Sequence, residues 1–320
     1  MEKQTQNNNA LVVGVSACLL GEAVRYDGSH KAHGFVTKVL RRLCTLEAVC
    51  PEVAVGLGVP RPPVHLVNKG GIIHAVGRDD DSLDITDDLT AFSASKVPAM
   101  HHFSGYVLKS RSPSCGLSVE VTPRGRAPGL YAAAILDAYP LLPCIEDDQL
   151  NSTLVQSNFL ERMVAYRRWQ DFTAFAPGFD DLAVFHDDNA LSLISHGREG
   201  YNAMARLISR SDCAGDMVSC LAAYGRHYMA HMARPASLPQ HVEALRDAAT
   251  RLPRDISKAK MAEINRKIAE FSDGNVDVQV PLKVLNDLLE GNPGTALARP
   301  TYLHPHPLEA GFQVILRNAG

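Results

Sequence analysis

LVVGVSAC, residues 11–18, is a short apolar run rich in β-branched side chains that ends on a serine, an alanine and a cysteine. A run of this length, closed by small residues, reads as a buried strand. Outward from it, Ala32–Leu46 has helical spacing, with Phe35, Val36, Val39, Leu40 and Leu43 on one side, and Ala48–Cys50 starts another short run. Gly105–Leu108 reads as a further strand, Leu130–Ala138 as a helix and Leu141–Ile145 as a closing strand. Strands alternating with helices predict an α/β N-terminal domain: a mostly parallel sheet with flanking helices.

The second half has another rhythm. Over 158–172, 180–195, 198–209, 216–232, 239–251 and 255–271, apolar residues recur at three- and four-residue steps with almost no strand signal. An all-α C-terminal domain is predicted. A chain of 320 residues exceeds one ordinary core. The polar stretch 147–152 is the expected seam, which gives domains 1–150 and 151–320.

Charge narrows the partners. Residues 1–150 hold 14 Lys and Arg against 16 Asp and Glu, and residues 151–320 hold 18 against 19. Neither half is a basic body that binds nucleic acid by bulk electrostatics, so no DNA partner is expected and any RNA contact must be a local patch. No apolar run approaches the roughly 18 residues of a membrane span. The N-terminal MEKQTQNNNA has no apolar stretch of a secretory signal, and a cytoplasmic location is expected.

Seven cysteines, at 18, 44, 50, 115, 144, 213 and 220, are an odd count that argues against a secreted disulfide framework. Free thiols, metal ligands or a redox role remain. Three share a setting. Cys18 follows VVGVSA, Cys50 ends LEAVC before Pro51, and Cys115 lies in KSRSPSCG just after GYVL. Each falls where a parallel strand should end, and the loops beyond those ends form the ligand crevice of open α/β sheets. Thiolates bind zinc and iron–sulfur clusters. Structural zinc normally includes a CxxC pair, which is absent, whereas three separated cysteines suit a 4Fe-4S cluster with one iron left open. Buried structural cysteines are the competing reading. Cys44 and Cys144 read as packing residues, as do Cys213 and Cys220, seven apart on one helical face.

Residues 16–31 (SACLLGEAVRYDGSHK), 50–63 (CPEVAVGLGVPRPP) and 109–116 (KSRSPSCG) resemble the three signature blocks of the TudS-type thiouracil desulfidases. The helical half, with NFLERMVAYRRWQDF (158–172), PLKVLNDLL (281–289) and TYLHPHP (301–307), is similar to the domain fused to them in RudS-type tRNA 4-thiouridine desulfidases. The resemblance implies a 4Fe-4S cluster held by Cys18, Cys50 and Cys115, whose open iron takes the sulfur of a thiolated pyrimidine while water attacks the ring carbon. It also implies Glu52 and Ser112 as the catalytic pair: Glu52 as general base or acid for the water, and Ser112 to position substrate or relay a proton. Ser114 is the rival to Ser112, and a cap or turn hydroxyl is the structural alternative for either group. Arg25, Tyr26, Asp27 and Lys31, on the loop after the first cysteine, suit a pyrimidine edge or a phosphate. Lys109 and Arg111 suit phosphate.

In the helical half, Arg162, Arg167, Arg168 and Trp169 could clamp phosphates and stack a base. Arg246, Arg251, Arg254, Lys258, Lys260, Arg266 and Lys267 form a second cationic set. Solvated faces with the tryptophan in the core are the opposing reading. One segment departs from the resemblance: where the relatives are basic, 186–190 reads HDDNA. If the helix carrying it faces RNA, a small thiolated nucleotide becomes the better substrate; the resemblance as a whole implies hydrolytic removal of sulfur from 4-thiouridine in tRNA. Free 4-thio-UMP or 2-thiouracil are alternative substrates, and a non-enzymatic RNA-binding or redox-sensing metalloprotein is the alternative of another class. A sulfur-inserting thiolase would need an ATP-binding SGGxDS-type loop, which the chain lacks.

Overall fold

The computed structural model describes residues 11–209, 216–253, 255–290, 301–304 and 306–308. The opening run forms strand β1 (Val12–Ser16), and a π-helical turn over Phe35–Leu40 runs into the short α1 (Arg41–Leu43). The predicted helix 32–46 is thus cut at both ends, because its last residues belong to β2 (Thr45–Val49), which pairs in parallel with β1. After α2 (Pro51–Ala54) come β3 (Val64–Lys69), β4 (Ile72–Gly77) and α3 (Thr86–Lys96). Next are β5 (Phe103–Leu108), β6 (Val119–Thr122), β7 (Arg126–Ala127), α4 (Leu130–Ala138) and β8 (Cys144–Glu146).

The main sheet runs β2-β1-β5-β8, parallel throughout. The chain leaves β1 toward one edge to form β2 and returns on the other side of β1 as β5. The strand order therefore reverses between β1 and β5, the place where α/β sheets open a crevice at their carboxyl ends. All six residues of β5 are buried, which explains its unbroken apolar sequence. A second sheet, β4-β3-β6-β7, mixes parallel and antiparallel pairs and was not expected. Its apolar face, Val64, Leu66, Ala75, Val119 and Val121, packs with Ile85 and Leu89 at the start of α3.

The remaining elements are helical: α5 (Thr153–Thr173), α6 (Phe179–Asp188), α7 (Ala190–His196), α8 (Arg198–Ser209), α9 (Met217–Met232), α10 (Leu238–Thr250), α11 (Lys258–Ser272) and α12 (Gln279–Glu290). The predicted helix 180–195 is two helices. Asn189 donates its side-chain amide to the Phe185 carbonyl at 2.8 Å and ends the first of them. The two compact units divide at Arg167/Arg168, inside α5 and later than the polar seam. The reason is packing: Phe159 and Met163 lie against the bare Cα of Gly105 in β5, where a Cβ would stand 2.8 Å from the methionine. No helix among the described residues is long and apolar enough to cross a membrane.

Within the helical unit, His186 is buried, bonded through Nδ1 to the Tyr224 hydroxyl at 3.0 Å and stacked on Tyr201. Burial pushes its pKa down to about 4. A group held neutral in the fold but titrating near 6.5 when unfolded supports stability above pH 6.5 and loses that support as pH falls toward 4. The loss for this one residue amounts to about 3 kcal/mol. His186→Phe, which keeps the stacking, is expected to flatten the acid limb of a stability-against-pH curve; an unchanged limb would contradict the assignment.

Candidate functional site

Cys18, Cys50 and Cys115 follow β1, β2 and β5, three adjacent strands of the main sheet, and all three line one cavity of about 570 Å³. Each strand end turns sharply into its cysteine loop. Cys18 sits in a single 3-10 turn, Ala17–Leu20, closed by Gly21 at φ +97°. Its carbonyl accepts from the Lys31 N–H at 2.9 Å, which folds the 21–31 loop back over the cavity. Cys50 precedes Pro51, the first residue of α2. Cys115 lies on a loop drawn tight by the Gly116 N–H to Ser112 carbonyl bond at 2.8 Å. Gly129 packs beneath that loop, and a Cβ there would stand 2.6 Å from the Ser114 carbonyl carbon.

Burial raises all three thiols, Cys18 to about 11 and Cys115 further still. Charge adds to this: Cys50 raises Cys18, and both raise Cys115. Lys109 opposes this at Cys18, and a hydrogen bond from Ser16 opposes it at Cys115. Two buried thiols and a half-buried third, all raised by desolvation, are a set that a metal cation would ionise outright. Among the described residues, no three His, Cys, Asp or Glu groups gather closely enough for one metal ion. A tetrahedral thiolate site holds its sulfurs about 3.8 Å apart. Three thiols brought to one cavity from three strand ends, with no close CxxC pair, are a donor set that fits an iron–sulfur cluster.

Glu52, in the first turn of α2, is held on both oxygens. Oε2 accepts from Arg61 Nη2 at 2.8 Å and Nε at 3.0 Å, and Oε1 accepts from Ser114 Oγ at 2.9 Å. The pair is enclosed, with side chains 5% exposed for Arg61 and 13% for Glu52. Arg61→Ala would leave that carboxylate buried without its cation, at an expected cost of about 3–5 kcal/mol. A melting-temperature series checks this, and a loss below about 1 kcal/mol would show that water replaces the arginine. The two serines divide their work. Ser114 is fully buried and positions Glu52. Ser112 lines the cavity, where its Oγ accepts from the Ser114 and Cys115 N–H groups at 3.3 and 3.1 Å and keeps its own proton free to donate.

Of the expected substrate residues, Arg25, Tyr26, Lys31, Lys109 and Arg111 line the same cavity. Asp27 does not: it is a turn residue, accepting from Ser29 N and Oγ and pairing with Arg25. Arg25 lies over the Tyr26 ring at 5.4 Å. Lys109 spends its charge on Asp147, 2.8 Å away. Arg61, Arg78, Ser16 and Asp147 were missed as site residues. Arg61 stands inside the second signature block, and Asp147 in the stretch read as a linker.

The helical candidates fare differently. Trp169 is 6% exposed and packed among Phe172, Phe185, Tyr224 and Tyr228. Gly225 makes room for its indole. The expectation that it stacks a base is therefore corrected, since its faces are already covered by protein rings. Arg162 is half-buried, its Nε enclosed without a hydrogen bond and its pKa lowered by burial. It is a poor phosphate clamp for that reason. Arg167 and Arg168 are half-buried as well. In the second set, Arg251 pairs with Asp247, Lys260 with Glu263, and Arg266 and Lys267 with Glu270. Arg246 and Lys258 are exposed. Arg254 and Cys213 lie outside the described residues; Cys220 is buried in α9 but disulfide-bonded, which corrects its reading as a free packing thiol. Cys44 and Cys144 are held by burial at about 12, as packing thiols are.

Residues 13–147 match the family model described as 2-thiouracil desulfurase, and residues 191–307 match that of a protein of unknown function, DUF1722. The chain is 32% identical over 111 residues to the uncharacterized protein YbbK of Bacillus subtilis (strain 168), covering 32% of this chain and 71% of that one. Among solved structures it is similar to the 4Fe-4S-dependent thiouracil desulfidase TudS, with 31% identity, 44% of this chain and 93% of that chain covered, and a TM-score of 0.36.

Proposed function

Because the chain belongs to the 2-thiouracil desulfurase family through residues 13–147, we propose that it hydrolyses the C4–sulfur bond of 4-thiouridine in tRNA. Water oxygen replaces sulfur at C4, uridine forms and sulfide leaves, so no electron donor is needed. The observation that carries this reading is the meeting of three thiols, two of them buried, and one fixed carboxylate at a single cavity. Cys18, Cys50 and Cys115 would hold a 4Fe-4S cluster. Such a group supplies a thiophilic Lewis acid that polarises the carbon–sulfur bond.

The chain's own residues do the rest. Glu52 takes a proton from the attacking water, its carboxylate kept in one orientation by Arg61 and Ser114. Ser112 offers its hydroxyl proton to the polar edge of the pyrimidine. Tyr26, 42% exposed at the cavity, gives a ring face for the base, with Arg25 fixing the opposite side of that ring. Lys31 adds a cation on the same loop.

The tRNA part of the reading is supported by the resemblance of the helical half. Free 4-thio-UMP is the second reading, favoured by the pairing of Arg251, Lys260, Arg266 and Lys267 with acids on their own or neighbouring turns. Anaerobically reconstituted protein incubated with bulk tRNA and with 4-thio-UMP separates the two. Loss of 4-thiouridine from intact tRNA is the expected result; turnover confined to the nucleotide would overturn the tRNA reading.

A further inference from the structure

The cations around the cysteine cavity sort into two kinds. Arg25, Arg61 and Lys109 are each neutralised within the protein, by Asp27, Glu52 and Asp147. Lys31, Arg78 and Arg111 are exposed, and among the described residues none of their charged groups has an acidic or hydrogen-bonding partner; of the three, only the two arginines reach beyond this cavity. These two side chains, with Val64 and Pro113, form the common wall of the cysteine cavity and a second cavity of about 610 Å³. The second cavity is also lined by Arg126 and His65, whose Nδ1 is enclosed and has no hydrogen-bond partner. Its one acid, Glu120, stands 4.0 Å from Arg126 with its side chain 90% exposed.

Arg111 adds a second sign. Its backbone has φ +59°, a conformation that disfavours any residue bearing a Cβ. An arginine stands there although glycine would be relaxed, and among the described residues its side chain makes no bond. Strain retained at an unpartnered charged residue points to a ligand. Two planar guanidiniums at one wall match a phosphate, which accepts paired N–H donors.

We infer that Arg78 and Arg111 form a phosphate site that takes a phosphate of the substrate nucleotide while its base occupies the cysteine cavity. The second cavity, with the enclosed His65 nitrogen as a hydrogen-bonding group, takes the adjoining sugar–phosphate. The inference deepens the desulfidase reading and rests on it for the base. It places the phosphate of a nucleotide or an RNA strand beside the base pocket and ranks such substrates above the free pyrimidine base. It also moves the expected phosphate contact from Lys109, which is spent on Asp147, to Arg78.

The test measures binding of non-reacting compounds. Calorimetry on cluster-loaded protein compares uridine, UMP and a short oligouridylate. UMP is expected to bind at least about 10-fold more tightly than uridine. Arg78→Gln and Arg111→Gln should each cut that preference several-fold, and the double variant should erase it. Each substitution should also reduce the salt dependence of UMP binding by about one charge. Arg111→Gly guards against a folding artefact: it suits φ +59°, so it should hold or raise the melting temperature while losing UMP preference. An oligouridylate that outbinds UMP assigns the phosphate to a strand; equal affinity assigns it to a mononucleotide, and either supports the site. Equal binding of UMP and uridine by the unaltered protein, or a preference that survives in the double variant, overturns it. Sulfide release without UMP preference sinks the phosphate site alone, and UMP preference without any desulfidation sinks the desulfidase reading alone.

Discussion

Cys18→Ala, Cys50→Ala and Cys115→Ala are each expected to abolish sulfide release and to leave anaerobically reconstituted protein short of iron and acid-labile sulfide. Losing an outer partner of a metal ligand already costs about 10–100-fold in metal affinity, so losing a ligand costs more. The three thiols share one cavity, and Cys50 raises Cys18 while both raise Cys115, so removing any one breaks a single unit rather than one contact. Cys44→Ala and Cys144→Ala are the matched controls. Both thiols are raised by burial alone in the sense that no other site thiol bears on them, and both variants should load normally. Iron and sulfide analysis with the visible absorption spectrum provides the readout. Stoichiometric zinc binding with no uptake of a cluster would overturn the assignment and favour a non-enzymatic metalloprotein.

Glu52→Gln is expected to keep full iron content and lose about 10²–10⁴-fold in turnover, the range of a general base. Glutamine keeps the shape and, with its oxygen toward Arg61, can donate to Ser114 Oγ, but it cannot take a proton from water; because it also removes the counter-charge of the enclosed Arg61, the melting temperature is measured beside the iron content. The partner variants separate chemistry from architecture. Ser114→Ala frees Glu52 on one oxygen and should lower activity less than Glu52→Gln, with a stability loss of about 1–3 kcal/mol from the vacated buried bond. Ser112→Ala removes the cavity-facing hydroxyl together with its bonds to two N–H groups. Full activity of Glu52→Gln with an intact cluster would end its role as base.

The β/α alternation was legible because LVVGVSA and GYVL are buried on both faces and read as unbroken apolar runs. The second sheet was not. β3 and β4 carry His65, Asn68, Lys69 and His74 among their apolar residues, and β6 and β7 have four and two residues. Such short, half-exposed strands are made by pairing rather than by composition. In the helical half the periods were clear, but they could not separate α6 from α7. That break depends on one amide, Asn189, bonding back to Phe185.

The candidate site divides in the same way. Local sequence placed Cys18, Cys50 and Cys115 at strand ends, since short apolar runs closed by small residues and proline are local signals. Parallel strands then bring such ends together by topology. Which charges cancel was decided only in three dimensions. Glu52 meets Arg61 nine residues away and Ser114 sixty-two away, and Lys109 meets Asp147 thirty-eight away. These pairings leave Lys31, Arg78 and Arg111 as the uncommitted cations at the cavity among the described residues. Tertiary packing likewise turned Trp169 from a candidate base platform into a core ring. A sequence specifies which side chains can ionise, ligate or stack. Partner and solvent access, which set what each of them does, come from contacts between distant segments, and those exist only once the chain has folded.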